Sequence, residues 1–216
     1  LSHILFKSNL EFTSFVGGIM NDYNSNLIIN GNKIFIVEAD EFDKSFLELK
    51  PNIICINNID ADHLDIYKTK NELLKAFIQF SNQVDKELII SHGLPFNGLT
   101  FGIDVSADYQ ATELKRTKLG YRFDLKTPYD KYKDIYLNLI GSHNVSNALA
   151  AIAIAEQSGL SANEFLDTLE NFPGVYRRMN IYRWNESIII DDYAHHPSEI
   201  QSVYNTIRNF YPTYQN

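Results

Sequence analysis

The sequence is short of several things, and each shortage excludes a class. One cysteine, Cys55, stands in 216 residues, so no disulfide framework can form and a reducing compartment is the default. No uninterrupted apolar stretch approaches the roughly 20 residues that cross a bilayer, and no signal peptide opens the chain; it reads as soluble and cytoplasmic. Basic runs are missing too. The 19 Lys and Arg face 27 Asp and Glu, a net charge of -8, which removes the local basic patch that nucleic acid or an anionic membrane would need. Neither HxxxH nor CxxC spacing occurs, so a dedicated zinc site is disfavoured. A G-x-S-x-G elbow and Ser-His-Asp order are likewise absent, leaving covalent hydrolase chemistry unsupported.

What is present starts with a 44% apolar content, enough for a real core in one or two domains. The run Ile34-Phe35-Ile36-Val37 ends in Glu38-Ala39-Asp40-Glu41-Phe42-Asp43, and Ile53-Ile54-Cys55-Ile56 ends in Asn57-Asn58-Ile59-Asp60-Ala61-Asp62-His63-Leu64-Asp65. Short β-branched runs followed by polar clusters read as buried parallel strands whose carboxyl ends, where α/β sheets bind ligands, open into loops. Seven carboxylates and one imidazole at one rim call for a compensating cation. Glu38 and His63 are therefore candidate magnesium ligands, with waters completing the shell. The bland alternative, a solvated strand-end carboxylate and a helix-capping histidine, stands at even odds.

The remaining pattern is α/β with a mostly parallel sheet flanked by helices. Leu1 to Phe6 has helical character, Phe12–Val16 is a strand, and Gly17-Gly18 reads as a turn. Leu73, Leu74, Phe77, Ile78 and Phe80 recur at helical spacing within residues 70–83, and Leu88–Ser91 is the next strand. Four short alternating runs at 99–103, 109–114, 120–125 and 135–140 suggest a small antiparallel appendage. Gly141-Ser142-His143-Asn144 opens a helix with Val145, Ala148, Leu149, Ile152 and Ala155 inward. Pro173-Gly174 divides the chain into residues 1–174 and residues 175–216, the latter beginning a second α/β unit of the Rossmann type. That unit opens with a strand pair at 180–184 and 187–190, followed by Asp191-Asp192-Tyr193-Ala194-His195-His196-Pro197 and a helix carrying Ile200, Val203, Ile207 and Phe210.

A helix start attracts anions, which makes His143 and Asn144 candidate binding residues, although the residues by themselves favour a plain N-cap role for Asn144. Arg177-Arg178 suits phosphate, yet surface arginines are common. Asp192, His195 and His196 repeat the strand-end logic beyond the boundary, so two polar clusters flank a hinge, as in a cleft that closes on substrate.

Taken in order, Glu38 to Asp43, Asn58 to Asp65, Gly141-Ser142-His143-Asn144 with Asn147, Gly174 with Arg177-Arg178, and Asp191 to Pro197 resemble the motifs of the Mur ligases of peptidoglycan synthesis, in particular their alanine-adding branch. The resemblance runs from about Phe12 to about Phe210 and is thinnest between Lys86 and Asp134. It implies an ATP-dependent, ADP-forming amide ligase whose substrates are UDP-N-acetylmuramate and L-alanine. It further implies that Glu38 and His63 hold Mg2+, that His143, Asn144 and Asn147 face the adenine, and that Arg178 reaches the phosphates. Asp192 would bond the ribose, with Tyr193 and His195 on the substrate side. The family's glycine-rich phosphate loop and its outer domains are not found in these residues, so the polypeptide alone is expected to be inactive. Rivals are a ligase recycling a tripeptide onto the same sugar nucleotide, folylpolyglutamate synthetase, and a non-catalytic nucleotide-binding module.

Overall fold

The computed structural model describes residues 1–59, 67 and 69–213. Its centre is a six-stranded sheet in the order β4 (Ile53–Ile56), β5 (Glu87–Ser91), β6 (Leu99–Ile103), β7 (Tyr109–Arg116), β8 (Tyr121–Lys126), β9 (Lys131–Leu137). Alternation on β5 shows how it is covered. Leu88 and Ile90 enter a core with Leu73, Ala76 and Phe80 of α2 (Lys70–Ser81), whereas Ile89 enters a core with Val145, Leu149 and Ile152 of α3 (Ser142–Gln157). One helix on each face buries both sides of the sheet at β4 and β5, and each enclosed Leu, Ile or Phe contributes about 1.5–3 kcal/mol. Thr69 starts α2 in extended backbone, its hydroxyl accepting the Glu72 N–H.

The small antiparallel appendage expected over residues 99–140 is present, but it begins only at β7. β6 and β7 continue the parallel sheet, and only β7–β8 and β8–β9 are antiparallel. Parallel neighbours normally require a long crossover. Here the overlaps run only from Ile89↔Leu99 to Ser91↔Phe101 and from Phe101↔Tyr109 to Ile103↔Ala111, so the return path is short enough for a loop. Asp108 clasps the second return by accepting the backbone N–H and hydroxyl of Thr100 at 2.8 and 2.7 Å.

A separate three-stranded sheet has the order β2 (Ser25–Asn30), β1 (Phe12–Met20), β3 (Ile34–Val37), with β1 parallel to β3. Phe12, Met20 and Ile28 of this sheet pack with Leu5 of α1 (Ser2–Lys7). Three expectations change. Gly17-Gly18 is no turn, because β1 runs through it to Met20, with its register against β2 shifting between Phe15 and Met20. Nor do the strands before the two acidic loops share a sheet: β3 pairs with β1, and β4 with β5. Nor are both runs buried as expected: β3 is an edge strand with Phe35 and Val37 67% and 50% exposed, whereas Ile54 and Ile56 of β4 are buried, so apolar runs of like composition fix neither burial nor partners.

Beyond Gly174, β10 (Asn180–Trp184) and β11 (Ser187–Asp191) form an antiparallel pair that leads into α4 (Pro197–Phe210). The connecting strap is fixed to β1. Asn21 donates through Nδ2 to the Pro173 carbonyl at 2.9 Å, the Tyr176 N–H reaches the Ile19 carbonyl at 2.8 Å, and Val175 bridges Met20.

Candidate functional site

Glu38 follows β3 directly, and its own N–H extends the parallel pairing to the Phe15 carbonyl at 3.0 Å. The exposed carboxylate turns back on β1, where Oε2 accepts the Gly17 N–H at 2.7 Å. Gly17 is required by proximity: a Cβ there would lie 2.8 Å from Glu38 Oε1. Its neighbour Gly18 makes room for the strap, since a Cβ on it would meet Val175 Cγ1 at 2.7 Å. The Gly17-Gly18 pair thus brings the Glu38 carboxylate and the strap ahead of Arg178 onto one short piece of strand. His63, with Asp60, Asp62 and Asp65, lies outside the described residues. Among the described residues, no group of three His, Cys, Asp or Glu side chains is arranged to hold a metal ion.

The second group forms where α3 meets α4. Gly141 caps α3 with φ +93°, a left-handed conformation that favours glycine, and the His143 ring folds against it. Its Nδ1 lies 3.2 Å from Ser202 Oγ of α4, joining the two helices. Burial lowers the His143 pKa, Asp192 acting to raise it and Arg178 to lower it further. Asp192 and Arg178, from two other sequence motifs, are thus the charges that act on His143. Asn144 is not the N-cap. It lies in the first turn and donates through Nδ2 to the Ile140 carbonyl at 2.8 Å. Asn147, one turn on, is exposed.

Asp192 organises the loop after β11, its two oxygens accepting the N–H groups of Met179 and Ala194 at 2.8 Å each. Arg177 is committed elsewhere, paired with Asp191 at 3.3 Å and lying over the Tyr193 ring at 5.1 Å. Arg178 projects beside it, exposed, its Nη1 3.8 Å from Glu199 Oε1. Tyr193 packs edge-on against His195 with ring centroids 5.3 Å apart, and His195 Nδ1 lies 3.0 Å from the Tyr193 carbonyl.

Three participants escaped the reading of the sequence: Gly17, Glu199 and Ser202. The spacing from His196 to Glu199 matches a capping box, a signal that points to helix architecture and so conceals the carboxylate's other neighbours. Ser202 carries no local signal at all.

Comparisons with known proteins place the chain as a whole. The family model for the Mur ligase middle domain matches residues 20–155. A UDP-N-acetylmuramate--L-alanine ligase of Christiangramia forsetii is 44% identical over 215 residues, covering 98% of this chain and 48% of that protein. The enzyme of the same name from Flavobacterium psychrophilum is 42% identical with the same coverage. Among solved structures, a UDP-N-acetylmuramate-alanine ligase from Thermotoga maritima superposes with a TM-score of 0.85 at 30% identity, covering 98% of this chain and 51% of that one. A murein peptide ligase from Psychrobacter arcticus, at 24% identity and TM-score 0.71 over 96% of this chain and 51% of its own, shares the fold. The chain spans about half the length of the curated relatives it matches.

Proposed function

This chain belongs to the Mur ligase family, and on that footing we propose that it is the central part of an ATP-dependent enzyme joining L-alanine to UDP-N-acetylmuramate in cytoplasmic peptidoglycan precursor synthesis. The observation that carries the reading is the junction of α3 and α4, where His143 Nδ1 lies 3.2 Å from Ser202 Oγ and where Asp192 and Arg178, from two other motifs, are the charges that act on His143. Support for the alanine branch comes from relatives of that name at 44% and 42% identity.

The groups present suit the ligands this reading requires. Arg178 is an exposed guanidinium not fully engaged by its 3.8 Å neighbour, and so is free to meet phosphate oxygens. His143, Asn144 and Asn147 line the start of α3, where N–H groups and ring edges would receive adenine. Asp192 would accept a ribose hydroxyl beside the backbone donors it already holds. Glu38 offers a hard oxygen: among the described residues no donor engages Oε1, which fits magnesium with water in its remaining positions. Bound Mg2+ would screen the triphosphate charge. His63 is proposed as its second protein ligand.

In the proposed reaction the muramate carboxylate oxygen attacks the γ-phosphorus of ATP, and ADP leaves. The alanine amine then attacks the carbonyl carbon of the acyl phosphate, and inorganic phosphate departs with the electron pair of the broken C–O bond. Tyr193 and His195, exposed on the side of α4, would border the amino-acid end. The part from β10 onward would swing about Arg177 and Met179, both left-handed at φ 57° and 53°, because Val175 and Tyr176 before them are held to β1. Closure would keep water from the anhydride.

The test is ADP release by the full-length protein. It should require UDP-N-acetylmuramate, L-alanine and Mg2+ together, and the 216-residue chain alone should show none. Turnover with a tripeptide but not with L-alanine would transfer the protein to the recycling branch. Nucleotide binding indifferent to magnesium would mark it as a non-catalytic module.

A further inference from the structure

Glu199 stands in the first turn of α4, and its carboxylate has four neighbours. Oε2 accepts the backbone N–H of His195 at 3.2 Å and of His196 at 3.4 Å. The same oxygen lies 3.8 Å from His195 Nδ1, and Oε1 lies 3.8 Å from Arg178 Nη1. Two of these contacts close the helix N-terminus, as any Glu in a capping box would. The other two are different in kind. They join a guanidinium supplied from before β10 to an imidazole supplied from after β11. The side chains of Glu199 and Arg178 are 39% and 52% exposed, so their attraction is screened and adds little to stability. What it can fix is direction, because a long, rotatable arginine beside an anchored carboxylate loses much of its freedom.

We propose that Glu199 is a positioning residue: from its anchor on the His195 and His196 amides it aims the Arg178 guanidinium, and holds the His195 ring beside it. The Arg178 charge also lowers the His143 pKa, so the guanidinium acts on the start of α3. The proposal rests on the reading of Arg178 as the phosphate contact. It separates two roles that a single carboxylate performs at once. Gln at this position keeps a carbonyl oxygen for the two amides but loses the charge that attracts Arg178, whereas Ala loses both.

The test uses the full-length protein carrying Glu199→Gln, Glu199→Ala, Arg178→Ala and the double variant Arg178→Ala with Glu199→Gln. Glu199→Gln should melt like the wild type and raise KM for ATP about 3- to 10-fold, with a smaller change in kcat. In the Arg178→Ala background the same change should have no further effect, since nothing is left to aim. A wild-type KM in Glu199→Gln would overturn the proposal, as would penalties that multiply in the double variant. Hydrogen exchange at the His195 and His196 amides gives a readout that needs no turnover: it should quicken in Glu199→Ala and stay slow in Glu199→Gln. If the wild-type protein fails to turn over ATP, the ligase reading falls. In that case Arg178 mobility, followed by its side-chain N–H resonances, decides this proposal: mobility unchanged in Glu199→Gln overturns it, and increased mobility sustains the aiming.

Discussion

Glu38 holds the Gly17 amide through one carboxylate oxygen at 2.7 Å, while the space that a methyl on Gly17 would fill is taken by the other oxygen. The glycine is thus both a donor to the acid and the gap that admits it. Gly17→Ala is expected to expel the carboxylate from its seat and lower kcat/KM in the full-length enzyme at least about tenfold, which corresponds to roughly 1.4 kcal/mol of transition-state stabilisation. Its melting temperature should move little, because the site is exposed. Steady-state ADP release and a thermal melt, run together, distinguish this from general unfolding.

Gly141 has a different reason to be glycine. At φ +93°, a Cβ would lie 2.4 Å from His143 Cε1, so Gly141→Ala incurs both backbone strain and a displaced ring. The expected loss is about 1–3 kcal/mol in urea unfolding.

His143 should also leave a mark on the pH dependence of stability. Burial, the largest influence, lowers its pKa below the usual 6.5. The folded state therefore resists protonation, and its stability is whole above the unfolded value of 6.5 and falls as pH drops from there toward the lowered folded value. His143→Asn removes that window. The gap between its melting temperature and the wild-type value should narrow between pH 7.5 and pH 5.5.

Glu156, at the far end of α3, is 8% exposed, and its Oε2 has no partner among the described residues. Burial raises its pKa above 4.5, against the lowering effect of hydrogen bonds from Tyr109 and Thr127. Here the sign is opposite. The folded state favours the proton, so nothing is lost below the unfolded pKa, and stability declines as pH rises through the raised folded value. Glu156→Gln should stabilise the protein at pH 7 by about 1 kcal/mol, the scale of an unsatisfied buried polar atom, and the gain should vanish near pH 4.

Phe210 ends α4 against β7 and β8: its ring meets Tyr121 edge-on at 5.5 Å and lies under the Arg116 guanidinium, which also donates to the Asn209 carbonyl. Phe210→Ala should release this end of α4 for about 1–2 kcal/mol. Faster tryptic cleavage at Arg177 or Arg178 would report it.

Much of this molecule was legible from periodicity. The α2 and α3 faces, the β5 run and the β10–β11 pair followed from apolar spacing, because burial on a helix or strand leaves its period in the chain. Partnership left no such trace. Ile34–Val37 and Ile53–Ile56 look alike, yet they belong to different sheets, and the runs at 99–103 and 109–114 pair parallel although each is as short as a hairpin strand. Gly17-Gly18 looked like a bend because the cause of two glycines, a carboxylate on one side and Val175 on the other, lies 21 and 157 residues away. The candidate residues His143, Arg178 and Asp192 follow from motif order, which carries no sign that the charges of the last two act on the first. Glu199 was hidden behind its own capping pattern.

The brief parallel overlaps of β5, β6 and β7 bear on how quickly the chain acquires its shape. Partners such as Phe101 and Tyr109 are eight residues apart in sequence, so these pairings close small loops and need not wait for a distant helix to wrap across the sheet. With Asp108 and Thr100 cinching the second return, the segment from Ile89 to Ala111 can serve as an early nucleus on which α3, arriving later along the chain, condenses.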